Sequence, residues 1–145
     1  MADATSSSIT ISAPPERVMA VIADFESYPE WADQVRDVEV LDAGAGGRAE
    51  RVKFSMDAGA IKDTYTLDYD WAADDRSVTW KLVKGGIQKA QDGSYELAAD
   101  GDRTTVTYKL SVEVNFPMIG MLRRKAEKVI IDTALNGLKR RVEKG

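Results

Sequence analysis

The chain has 145 residues, 43% of them hydrophobic and 30% charged, which is the size and composition of one globular domain spanning 1–145. It contains no cysteine and no histidine, which excludes disulfides, thiolate chemistry and any nucleophile activated by an imidazole. Catalysis, if any, falls to Asp, Glu, Tyr, Lys, Arg or hydroxyl groups.

The net charge of −4 is unevenly spread. Pro117 to Gly145 holds eight Lys/Arg and three Asp/Glu, and the preceding 116 residues hold twelve and twenty-one. An acidic body without a basic, aromatic-interleaved stripe argues against nucleic acid as a partner. No apolar run approaches the ~20 residues that cross a bilayer. The opening Met1 to Ser8 has neither a basic start nor an apolar core, so it does not read as a secretion signal and the expected location is cytoplasmic. A carboxylate-only metal site stays open on residue type, but the acidic residues show no calcium-loop spacing; neither a metal nor a cofactor is expected.

Ile9 and Ile11 alternate with Thr10 and Ser12, which predicts a first strand. Pro14-Pro15-Glu16 suits a helix start, and Val18, Val21 or Ile22, and Phe25 carry the period onward to about Asp24. Tyr28-Pro29-Glu30-Trp31 predicts a second short helical piece ending near Gln34. Both are too short to stand alone.

The period then changes to two. Val38 and Val40 predict a strand closed by the turn at Ala43–Gly47. Val52, Phe54 and Met56 share one face of the next strand, and Asp57-Ala58-Gly59 turns the chain. Tyr65, Leu67, Tyr69 and Trp71 follow, then Val78, Trp80 and Leu82. Gly85-Gly86 precedes a strand with Tyr95 and Leu97, and Asp100-Gly101 marks a hairpin. Val106, Tyr108, Leu110, Val112 and Val114 mark the last strand. One apolar and one polar face per strand, with short turns between, predicts an antiparallel meander covered on one side.

The cover is a helix predicted from Pro117 to Val142. Stepping 100° per residue, Leu122, Ala126, Val129, Thr133 and Gly137 form one stripe with Ile130 and Ala134 beside it. Ile131, Leu135, Leu138 and Val142 form a second, nearly opposite. So wide an apolar arc predicts burial on more than one side. The small residues of the first stripe suit either a ligand or close backbone packing, with packing somewhat favoured.

Ala13-Pro14-Pro15-Glu16-Arg17-Val18 leading to Asp24, then Tyr28-Pro29-Glu30-Trp31, resembles the opening of the START-related polyketide cyclase/dehydrase and lipid-transport superfamily, which includes Bet v 1-like proteins. Asp92–Leu97 and Thr104–Tyr108 resemble its last two strands, and the run from Phe116 to Val142 fits its terminal helix. The resemblance covers nearly the whole chain. It implies an α+β helix-grip fold: a seven-stranded curved antiparallel sheet around a long C-terminal helix, with two short helices between strands 1 and 2. It also implies a hydrophobic small-molecule ligand such as a lipid, isoprenoid or polyketide, and only some members of the superfamily are catalysts.

The candidate ligand wall is Phe54, Tyr65, Leu67, Tyr69, Trp71, Trp80, Leu82, Tyr95, Tyr108 and Leu110 from the strands, with Leu122, Ala126, Val129, Ile130 and Thr133 from the helix. Buried Tyr and Trp need polar partners, and several on one concave face suit a pocket with a few polar handles. In the Tyr28-Pro29-Glu30-Trp31 motif the favoured role is anchorage of the short helices to the sheet, with a pocket-entrance role second. Asp63 and Glu50 fall in phase with the apolar faces and are the candidate catalytic carboxylates, while Arg48 and Gln91 enter or flank the pocket. The favoured reading is a binding or transfer protein, which requires a cavity of several hundred Å3. A cyclase/aromatase or dehydratase using Asp, Glu, Tyr or Arg is the second, and a protein-interaction module docking through the basic helix the third. Arg123-Arg124-Lys125 lies in the first turns of that helix, where the macrodipole disfavours cations. Nearby acidic loops offset it, or it makes a transient contact with an anionic headgroup or membrane surface, the first being favoured.

Overall fold

A computed structural model describes residues 4–59 and 62–144. Three of the eight residues read for a secretion signal, and part of the chain between the third and fourth strands, lie outside them. Strand β1 (Thr5–Ile11) is followed by α1 (Pro15–Ala23), a single 3-10 turn (Phe25–Ser27) and α2 (Tyr28–Trp31). Six strands follow: β2 (Val35–Asp42), β3 (Arg51–Asp57), β4 (Lys62–Trp71), β5 (Ser77–Gly85), β6 (Gln88–Asp100) and β7 (Arg103–Val114). Helix α3 (Gly120–Lys144) closes the chain.

The strands form one antiparallel seven-stranded sheet in the order β1-β7-β6-β5-β4-β3-β2. The meander from β2 to β7 follows from its short turns, and β1 returns to the far edge by pairing with β7, Ile9 opposite Val106. Bulges between Val35 and Asp37, Val40 and Asp42, Thr66 and Leu67, and Gln88 and Ala90 bend the strands, which curls the sheet around α3. This is the helix-grip architecture.

Several bounds differ from the sequence reading, among them the end of α3, at Lys144 and not Val142. Helix α3 begins at Gly120 and not Pro117, because the chain leaving β7 through Phe116-Pro117 runs out as an exposed connection before it can turn back over the sheet. Helix α2 ends at Trp31 and not near Gln34, because Val35 N–H already bonds Ala32 O and the chain turns directly into β2. Strand β1 starts earlier, at Thr5, by extending the ladder with β7.

Helix α3 rests on β1, β7, α1 and α2. Its fully buried seam is Glu127, Ile131, Leu135, Leu138 and Val142, so the second apolar stripe is the main packing face. Leu122 and Val129 are 52% and 47% exposed. They sit roughly 180° and 160° around the helix from Ile131 by the 100° step, so burying the heavier stripe turns them outward. Gly137 provides the close packing: a Cβ there would lie 2.2 Å from the carbonyl oxygen of Trp31.

Candidate functional site

Between the concave face of the sheet and the middle of α3 lies a cavity of about 70 Å3. Phe54 and Met56 of β3, Tyr65, Leu67 and Tyr69 of β4, Trp80 of β5, Gln91 and Tyr95 of β6 and Tyr108 of β7 line its sheet side. Tyr28, Trp31, Ala32, Gln34 and Val35 close one end, and Ile130, Thr133 and Ala134 form the helix side. Of the partly exposed members, Gln34, Val35, Thr133 and Ala134 place a mouth between the α2–β2 connection and α3, while Tyr69 is partly exposed on the β4 side. Gln34 Nε2 faces Thr133 Oγ1 across it at 3.5 Å. A lobe of about 20 Å3 continues past Met56, Tyr65, Gln91, Tyr108 and Ile130 to Gln88, Leu110 and Val112.

The cavity is smaller than the several hundred Å3 expected of an open ligand site. The aromatic side chains on the concave face occupy the space themselves. Tyr95 and Tyr108 have ring centroids 4.6 Å apart, Trp80 stands 5.5 and 5.6 Å from them, and Phe54 stacks on Tyr65 at 5.6 Å. Gly93 makes room for this packing, since a Cβ there would meet the Trp80 indole at 2.2 Å.

Among the described residues, no Asp, Glu, Lys or Arg lines the cavity or its lobe. Its polar equipment is neutral: tyrosine hydroxyls, Thr133, the Gln34 amide, and a chain in which Trp80 Nε1 donates to Gln91 Oε1 at 3.0 Å and Gln91 Nε2 to Gln88 Oε1 at 2.6 Å. Burial pushes the hydroxyls of Tyr28, Tyr65, Tyr69, Tyr95 and Tyr108 above their ordinary value of 10.0, and for Tyr28, Tyr65, Tyr69 and Tyr95 the neighbouring Tyr108 adds to the shift. They are protonated donors at neutral pH. Tyr28 alone among them bonds another described residue, donating to the Ile22 carbonyl. The motif Tyr28-Pro29-Glu30-Trp31 therefore has both readings at once, anchoring α2 and walling the cavity.

Several residues of the expected set stand elsewhere. Trp71 lies at the rim, its Nε1 donating to Ala49 O at 2.8 Å. Arg48 stacks over it at 5.6 Å and pairs with Asp75 at 2.6 Å, so it flanks the site without entering. Leu82 is half-buried outside the cavity and Leu110 borders only the lobe. Ala126 packs beside the core without reaching the cavity, and Leu122 and Val129 face outward. Both carboxylate candidates are displaced. Asp63 accepts the N–H groups of Gly86, Ile87 and Gln88 at 2.9, 3.0 and 3.0 Å, which makes it the brace of the β5–β6 turn. Glu50 is exposed and does not line the cavity; it borders a surface groove with Arg51 and Asp68.

The sequence reading passed over Gln88 and Glu127. Gln88 starts β6 next to a bulge, where alternation does not say which way a side chain points. Glu127 is 0% exposed and accepts from Thr5 Oγ1 at 2.6 Å and from Val112 N–H at 2.7 Å. An acidic residue among Lys125 and Lys128 gives no signal that it is buried.

A family model described as polyketide cyclase / dehydrase and lipid transport matches residues 11–139. Among solved structures, a START superfamily protein from Mycobacterium smegmatis is 21% identical with a TM-score of 0.91, covering 99% of each chain. A protein of Thermus thermophilus is 25% identical with a TM-score of 0.82, covering 96% of each. An aromatase/cyclase from Streptomyces sp. R1128 is 18% identical with a TM-score of 0.81, over 97% of this chain and 93% of that one. No curated protein sequence matches the chain.

Proposed function

The chain belongs to the polyketide cyclase/dehydrase and lipid-transport family, and on that premise we propose that it binds a hydrophobic small molecule between the sheet and α3, without catalysing a reaction on it. One observation carries this reading: the cavity wall is apolar and aromatic with neutral polar handles, and among the described residues no carboxylate or cation lines it. A buried acid–base pair is what general catalysis would need, and the two candidate carboxylates serve elsewhere. The second reading, a cyclase or dehydratase, rests on tyrosine hydroxyls acting as donors, since burial raises their pKa values and keeps them protonated at neutral pH.

A ligand larger than a few atoms enters by widening the space. The mouth between Gln34 and Thr133 is the place where this costs least, because the contact across it is long and partly exposed. Native mass spectrometry of freshly purified protein tests the reading. The expected result is a mass excess from a neutral hydrophobic compound, lost in Ala134→Leu, which fills the helix side of the cavity. A uniform unliganded mass together with no uptake of added apolar probes overturns it.

We also propose a transient contact with an anionic membrane surface. Ile119, Met121 and Leu122 are 62%, 68% and 52% exposed at the start of α3, directly before Arg123, Arg124 and Lys125. Among the described residues these three cations enter no ion pair. Apolar side chains next to cations are the composition that seats at a lipid headgroup layer. No helix among the described residues is long and apolar enough to cross a membrane.

A further inference from the structure

The amide chain leading into the lobe has a fixed direction. An indole nitrogen donates and does not accept, so Gln91 must present its oxygen to Trp80, at 3.0 Å. Its NH2 group is then turned toward Gln88, whose oxygen must accept it, at 2.6 Å. Flipping either amide would set donor against donor. Gln88 Nε2 is thus left pointing away from the chain, with no partner among the described residues, although Gln88 is only 4% exposed.

Gln88 stands in the lobe of about 20 Å3, which Tyr65, Tyr108, Leu110 and Ile130 help to wall. That is space for about one oxygen-sized group. A buried donor without an acceptor is costly, and a ligand oxygen that accepts from it removes the cost. The oxygen must be uncharged, because among the described residues no Lys or Arg lines the cavity or the lobe and an anion would be desolvated there without a counter-charge. Aromatic walls from Phe54, Trp80 and Tyr95 favour a flat molecule behind that oxygen.

We propose that Gln88 Nε2, aimed by Trp80 and Gln91, is the recognition donor for a neutral carbonyl oxygen, and that the ligand is a flat, uncharged, carbonyl-bearing hydrophobic molecule. Fatty-acid carboxylates, phosphate headgroups and plain hydrocarbons are disfavoured. The inference rests on the hydrophobic-ligand reading above and narrows it.

Calorimetric titration of the full chain with 1-tetralone, tetralin and 1-naphthoate tests both levels separately. The ketone is expected to bind at least about tenfold more tightly than the hydrocarbon, the increment of one satisfied buried donor. Gln88→Leu is expected to erase that preference while leaving tetralin affinity within about threefold. The carboxylate is expected to bind more weakly than the ketone. Tetralin binding as tightly as tetralone to the wild type overturns the carbonyl subsite and leaves the hydrophobic-ligand reading standing. A preference that survives in folded Gln88→Leu overturns the role of Gln88, and 1-naphthoate as the tightest ligand overturns the neutral class. Binding of none of the three overturns both levels. Should Gln88→Leu not fold, the infrared carbonyl stretch of tetralone on the wild type decides. A shift to lower frequency than in alkane solvent supports the hydrogen bond, and no shift sinks it.

Discussion

Glu127 Oε2 accepts the backbone N–H of Val112 at 2.7 Å, from a side chain with no solvent exposure. This contact, with Thr5 Oγ1 on the other oxygen at 2.6 Å, ties α3 to both β1 and β7 at the point where the helix first meets the sheet. Glu127→Ala leaves a buried N–H unpaired and is expected to cost about 2–4 kcal/mol. Urea unfolding at neutral pH measures this, and a loss below about 0.5 kcal/mol would show that the tie is dispensable.

Helix glycines are usually a weakness, and replacing an exposed one by alanine stabilises by about 1 kcal/mol. At Gly137 the sign is reversed, because the added methyl would sit 2.2 Å from Trp31 O. Gly137→Ala is expected to destabilise by about 1–3 kcal/mol through forced separation of α3 and α2. A higher melting temperature for the variant would refute the close packing.

Asp63 accepts three successive N–H groups of the β5–β6 turn. Asp63→Ala is expected to lower stability by about 1–3 kcal/mol. Affinity for tetralone, measured well below the melting transition, should change by less than about threefold. Abolished binding in a folded variant would return Asp63 to the site.

All five tyrosines have raised pKa values in the folded state, burial being the first cause. A raised folded pKa means that above the ordinary value of 10.0 the unfolded chain holds fewer protons than the folded one, so stability falls as pH rises. Stability is therefore expected to be insensitive to these groups below about pH 10 and to drop above it by about 1.4 kcal/mol per tyrosine per pH unit. Tyrosinate absorbance should appear together with loss of near-ultraviolet circular dichroism. Tyrosinate titrating near pH 10 in a folded chain would contradict the burial.

For the start of α3, co-sedimentation with vesicles containing phosphatidylserine is the relevant measurement. Replacing Arg123, Arg124 and Lys125 by glutamine is expected to weaken binding about a hundredfold at low salt, from about 1 kcal/mol per cation. Met121→Ser should weaken it further, through the apolar term. Equal binding to neutral vesicles, or none to anionic ones, rejects the membrane proposal. A soluble protein partner would be the occupant left to seek.

The strands and the terminal helix were legible in the sequence because their signal is local. Alternation in Tyr65–Trp71 and Val106–Val114 gives the covered face directly, since successive side chains on a strand point to opposite sides. Two apolar stripes on α3 were also legible, but not which would be buried. Leu122 and Val129 lost to Ile131, Leu138 and Val142 because only the docking of α3 against β1 and α1 sets its rotation. Asp63 and Glu50 were in phase with apolar neighbours, yet phase near a strand end fixes neither depth nor partner. The absence of cysteine and histidine, readable from composition alone, already excluded disulfides, thiolate chemistry and imidazole-activated nucleophiles. What the tertiary structure alone decided is the interior: how far aromatic rings fill the concave face, and that Trp80, Gln91 and Gln88 join into one directed chain. Those outcomes depend on side chains from separate strands meeting at hydrogen-bond distance, which no spacing along one segment encodes.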